Sequence, residues 1–78
     1  MDISTIGLDL AKNVFQIHAI NATGEVVVRK MLRRAQLLAF FAKLPPCLVG
    51  AEACGTSHHW ARELMKLGHE VRLMPPVY

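Results

Sequence analysis

The apolar residues of this chain change period part-way along, and that change limits what it can fold into. Up to residue 32 they fall in short runs suited to strands, and from residue 35 to residue 44 they recur at helical spacing. Ile3 to Ala11 alternates imperfectly and ends in a polar cluster, which suits a buried strand delivering Asp9 at its C-terminal end. Val14 to Ile20 is rich in β-formers and is followed by the turn Asn21-Ala22-Thr23-Gly24. Glu25 to Leu32 (EVVVRKML) is strand-like again. These three runs predict an antiparallel meander.

Leu37, Leu38, Phe41 and Leu44 then share one helical face, and Pro45-Pro46 ends the helix by removing donors and disfavouring helical geometry at the residue before. The first helix is expected over about Ala35 to Leu44. Cys47 to Ala53 (CLVGAEA) reads as a central strand with Glu52 near its end. Thr56 or Ser57 can cap a second helix whose apolar face is Trp60, Ala61, Leu64 and Leu67, with Gly68 free to take the left-handed position after it. His69 to Met74 makes a fifth strand.

The predicted order is βββαβαβ, an α/β fold in one domain over residues 1–78. Helical crossovers between parallel strands are right-handed in about 98% of cases. Crossing from the third strand by the first helix therefore places the fourth strand on the free side of the first. The second helix carries the fifth strand beyond it. The expected sheet is mixed, of order 3-2-1-4-5, with only the second strand antiparallel. Both crossovers step the same way, so both helices should lie on one face. The other face then lacks cover, and strand residues such as Val27, Val49 and Val71, whose faces the sequence does not assign, suggest an exposed apolar patch. A homodimer or higher oligomer burying that face is the simplest expectation.

Composition narrows the class. A chain that is 53% hydrophobic and 19% charged packs a core, although 78 residues bury only about 60% of the surface their unfolded chain exposes. No apolar run reaches the roughly 18 residues of a membrane span, and the N-terminus lacks a secretory layout. A cytoplasmic protein is expected, with Cys47 and Cys54 as thiols. The net charge of +3 is compatible with nucleic acid and does not by itself select it.

The predicted topology brings Asp9 and Glu52 to the C-terminal ends of neighbouring parallel strands, where the chain reverses its progression across the sheet and open α/β sheets form a ligand crevice. Two close carboxylates repel, and a divalent cation is their natural companion. Mg²⁺ takes few carboxylates, several waters and a substrate phosphate. Thr56 and Ser57 open the second helix beside the same crevice, where free amides can receive a phosphate.

GLDLAKNVFQIHAI and EACGTSHHWARELMKLGHEVRLMPP resemble the N-terminal domain of DEDD-type insertion-sequence transposases. This is the insertion sequence one-ten family, whose catalytic domain is RNase H-like and similar to the RuvC resolvase. The resemblance covers essentially the whole chain. It implies a Mg²⁺-dependent transposase, with Mn²⁺ as a substitute, acting by phosphoryl transfer on DNA. By motif, Asp9 matches the first of four metal-binding acids and Glu52 the second. A guide (bridge) RNA partner and a C-terminal serine nucleophile are also implied. The third and fourth acids belong to a segment following Pro75-Pro76-Val77-Tyr78, so the expectation is an incomplete, N-terminal part of the catalytic domain. Alone it would be inactive, with weak or absent metal occupancy.

Other residues are less specific. Lys12 matches the family motif and could sit near a phosphate, although a lone lysine there is commonly solvated. Arg29, Lys30, Arg33 and Arg34 form the one basic cluster, which could follow a nucleic-acid backbone or simply solvate an edge strand. His58 and His59 are adjacent, so they point about 100° apart and cannot form a same-face metal pair. His18 and His69 have no acidic or thiol partner at ligand spacing and read as structural, and Trp60 as core. The competing function is a non-catalytic oligomerisation or nucleic-acid-binding module with the same fold. An actin-like sugar kinase would want glycines after Asp9, where Ala11-Lys12-Asn13 stand.

Overall fold

The computed structural model describes residues 3–10, 14–53 and 55–74. Its elements follow in the order β1 (Thr5–Leu10), β2 (Val14–Ile20), β3 (Val26–Arg33), α1 (Arg34–Ala42), β4 (Leu48–Glu52), α2 (Ser57–Lys66) and β5 (Glu70–Met74). The strands make one sheet of order β3-β2-β1-β4-β5. β2 runs antiparallel to β1 and β3, whereas β4 runs parallel to β1 and β5. The α/β layout, the element order and the sheet order are those expected from the sequence. Element bounds differ by at most two residues: α1 starts at Arg34 and ends at Ala42, and β3 extends to Arg33.

Alternation along the strands divides the sheet into two unlike faces. Ile6 and Leu8 of β1, Phe15, Ile17 and Ala19 of β2, Leu32 of β3, and Val49 and Ala51 of β4 are buried in a single cluster with Leu37 and Phe41 of α1 and Trp60 and Leu64 of α2. Both helices therefore pack on the same face, as right-handed crossovers require. Trp60 is core, edge-on to Phe15 at 5.1 Å. Val71 packs against this cluster too, while Val27 is exposed.

No described element covers the opposite face. That face is mixed, polar and apolar side by side. Thr5, Gly7, Asp9, Gln16, His18, Arg29, Arg33, Glu70 and Arg72 alternate onto it, together with Val14, Ile20, Val26, Met31, Leu48 and Met74, of which Val26, Met31 and Met74 are exposed. Val49 and Val71 went to the helix face because they share the phase of Ala51 and Leu73.

Local chemistry explains the ends of the elements. In the β2–β3 turn the Asn21 Oδ1 accepts from the backbone N–H of Thr23 and of Glu25, at 3.1 and 3.0 Å, and Gly24 takes a φ of 88°. The Thr23 hydroxyl and the Asn21 amide, in that order, hold the Glu25 carboxyl below its usual range. α1 opens with the Gln36 side chain accepting the Arg33 N–H at 3.0 Å. α2 closes with the Gly68 N–H on the Met65 carbonyl and the His69 N–H on the Leu64 carbonyl, with Gly68 at φ 94°. This is a Schellman motif. Leu67, expected on the buried face of α2, instead falls just past its last turn and is 38% exposed.

His69 then ties three elements together. Its Nε2–H donates to the Phe41 carbonyl of α1 at 2.8 Å, and its Nδ1 accepts the Cys47 N–H at the start of β4 at 3.2 Å. The structural role expected of His69 holds, though it does have a thiol neighbour, since the Cys47 sulfur lies 3.5 Å from Nδ1. Burial pushes that thiol above its usual range, so it is held protonated and unreactive. Among the described residues no helix is long and apolar enough to cross a membrane.

Gly68→Ala should cost about 1–2 kcal/mol, the penalty of a Cβ in the left-handed region. Urea unfolding checks it, and an unchanged midpoint would show that the α2 end does not depend on that conformation.

Candidate functional site

β1 and β4 are paired through Thr5↔Leu48, Ile6↔Val49, Gly7↔Gly50 and Leu8↔Ala51. The next residues in this register are Asp9 and Glu52, both still within their strands. Parallel neighbours lie about 4.8 Å apart, so the two acidic residues sit side by side. Leu8 and Ala51 are buried against the helices. Alternation therefore turns Asp9 and Glu52 onto the uncovered face together.

The Asp9 side chain is 67% exposed, and neither it nor Glu52 pairs with a lysine or arginine among the described residues. Among the described residues the basic side chain nearest to Asp9 is His18, whose Nε2 lies 3.8 Å from Oδ2. Sequence reasoning missed this contact because it looked for partners at short spacing along the chain. The signal was the hairpin register, which pairs Asp9 with Gln16 and sets His18 diagonally beside it. The distance is too long for a direct hydrogen bond.

As hard oxygen donors, exposed and without a lysine or arginine partner among the described residues, Asp9 and Glu52 fit a divalent cation such as Mg²⁺ or Mn²⁺. Among the described residues no group of three or more His, Cys, Asp and Glu converges to hold a metal. The pair is thus an open two-carboxylate site rather than a closed cage.

The other predicted site residues are distributed unevenly. Thr56 stands at the N-cap of α2 and is exposed, but its side chain makes no capping bond; Ser57 is buried in the first turn. Lys12 lies outside the described residues, as does Cys54. His58 and His59 are exposed, with His59 edge-on to Trp60 at 4.9 Å. The basic cluster is split by the pleat of β3. Arg29 and Arg33 share the uncovered face with Asp9. Lys30 lies over the Phe40 ring at 5.5 Å, and Arg34 over the Trp60 ring at 6.0 Å, both on the helix side.

The chain is 58% identical over all 78 residues to a family 20 transposase of Pseudomonas aeruginosa, of which it covers 23%. It is 42% identical, over 99% of its length, to the transposase for insertion sequence element IS1328 of Yersinia enterocolitica, and covers 23% of that protein. It is 39% identical, over 96% of its length, to the transposase for insertion sequence element IS1111A of Coxiella burnetii, covering 21%. The chain is related over its whole length to insertion-sequence transposases. It spans about a fifth of the length of these transposase relatives. No protein-family model matches it, and no solved structure is significantly similar to it.

Because Asp9 and Glu52 are exposed and support no packing, Asp9→Asn and Glu52→Gln should leave stability within about 0.5 kcal/mol. Thermal unfolding of each variant checks this. A large loss would make the carboxylates structural.

Proposed function

We propose that the chain is the amino-terminal part of an RNase H-like transposase core, in which Asp9 and Glu52 hold a divalent cation for phosphoryl transfer on DNA. The observation that carries this reading is the side-by-side placement of the two carboxylates on adjacent parallel strands, at the uncovered face, in a relative of insertion-sequence transposases. The 3-2-1-4-5 order with one antiparallel strand supports it, since it is this order that makes the strands of Asp9 and Glu52 parallel neighbours.

Mg²⁺ would be held by Asp9 and Glu52, with Mn²⁺ as a substitute, and when bound would activate an attacking oxygen or stabilise a leaving one. The chain's own contribution is to fix two oxygen ligands on rigid strands and to leave the space above them open to a substrate. Two carboxylates give weak occupancy, and strand cleavage in this reading needs further acids from the rest of a transposase. A cytoplasmic setting, a guide RNA and assembly into oligomers belong to the same proposal.

Addition of Mn²⁺ to isotopically labelled chain should broaden the amide signals around Asp9 and Glu52 first, and the double variant Asp9→Asn, Glu52→Gln should abolish the effect. The chain by itself should not cleave DNA. Broadening that is scattered, or unchanged in the double variant, overturns the cation site. Nucleic-acid binding without any cation effect would favour a non-catalytic binding module.

A further inference from the structure

The register of the sheet sets residues of the uncovered face in rows that cross the strands. Arg29 of β3 stands opposite His18 of β2, His18 opposite Gly7 of β1, Gly7 opposite Gly50 of β4, and Gly50 opposite Arg72 of β5. The adjacent row on the same face holds Met31, Gln16, Asp9, Glu52 and Met74. One row is thus cationic at its ends and bare in the middle, and the next carries the two carboxylates.

The bare positions differ. A side chain at Gly50 would meet the Met74 methyl at 3.4 Å, so that space is already bordered. A side chain at Gly7 would meet only the His18 carbonyl oxygen and Cβ, at 3.9 and 4.0 Å. The backbone at Gly7 therefore lies open beside His18. Arg72 is engaged by Glu70, at 3.1 Å, whereas Arg29 makes no ion pair among the described residues.

We propose that Arg29, His18 and the open backbone at Gly7 form a docking row for the sugar-phosphate backbone of a nucleic-acid strand passing beside Asp9 and Glu52. The inference rests on the transposase reading for the kind of partner, and its residues are chosen by geometry. A guanidinium with no protein partner offers a planar fork of donors that matches phosphate oxygens. His18 offers an imidazole N–H from the neighbouring strand, and Gly7 lets a strand approach closely. The side chains of this row, Arg29, His18 and Arg72, are polar or charged, so its occupant is polar. Lys30 and Arg34, although next to Arg29 and Arg33 in sequence, do not belong to the row, because they lie over Phe40 and Trp60 on the other side of the sheet. The carboxylates in the adjacent row repel phosphate unless a cation lies between them, so strand binding and cation binding should reinforce one another.

The experiment is fluorescence anisotropy of a labelled single-stranded DNA oligonucleotide with the purified chain, over a salt series, with and without Mg²⁺. Arg29→Gln should weaken binding about five- to tenfold and reduce the salt slope by about 0.7, the share of one phosphate contact on a single strand. His18→Gln and Gly7→Val should weaken it too, Gly7→Val by filling the open floor while circular dichroism confirms an intact fold. Lys30→Gln and Arg34→Gln remove the same charge from the other face and should change affinity less than twofold. Equal losses on both faces, an unchanged Arg29→Gln, or no binding by the parent chain would each overturn the row. Arg29-dependent binding with no Mg²⁺ effect would uphold the row and count against the cation site. Sedimentation of the oligonucleotide-free chain adds a further arm: a dimer that Arg29→Gln dissociates would give the face to a second copy instead and overturn the proposal.

Discussion

The handedness of two helical crossovers governs nearly everything else in this molecule. A right-twisted strand followed by a helix returns to the sheet on one side only. Both crossovers run in the same direction across it, from β3 to β4 and from β4 to β5. α1 and α2 are thereby committed to a single face, and the described residues share one core cluster. The same constraint leaves Asp9 and Glu52 where charge is tolerated. Had the helices been on opposite faces, two carboxylates beside Leu8 and Ala51 would have been buried without partners at large desolvation cost.

Much of this was legible in the sequence because it depends on period and punctuation. The change from strand-like runs to Leu37, Leu38 and Phe41 marked α1, Pro45-Pro46 ended it, and Gly68 marked the end of α2. Phase was harder to read. Val49 and Val71 carry no sign of which face they occupy until the register with β1 and β5 is known, and a shift of one residue would exchange the two faces. Val49 and Val71, offered as candidates for the apolar patch, face the helices for that reason. Asp9 and Glu52 could be placed because each precedes a break in its strand, while the proximity of His18 to Asp9 needed the hairpin register. The division of the basic cluster needed it as well, since consecutive residues of β3 point to opposite faces.

His69 shows how a small domain fixes the relation between its layers without a large interior. One imidazole joins the α1 end, the β4 start and the β5 start through two hydrogen bonds. The first satisfies the Cys47 N–H, and the second adds a donor to the Phe41 carbonyl, which also accepts the Leu44 N–H at 3.2 Å. The bond to Phe41 assigns the ring N–H to Nε2, and the bond from Cys47 then requires Nδ1 to be an acceptor. The neutral tautomer is specified by the backbone itself.

The outer edge of β3 carries a different consequence. An edge strand presents unpaired backbone donors and acceptors and is a template for aggregation. β3 reads VVVRKMLR, and its apolar start, with Val26 and Val27 exposed, would favour sheet extension. Three cations in its second half oppose that: two copies paired edge to edge across this half would bring arginine and lysine against one another on both faces of the joined sheet. These side chains, on the uncovered face and on the helix face alike, act as gatekeepers against extension of the sheet into a fibril.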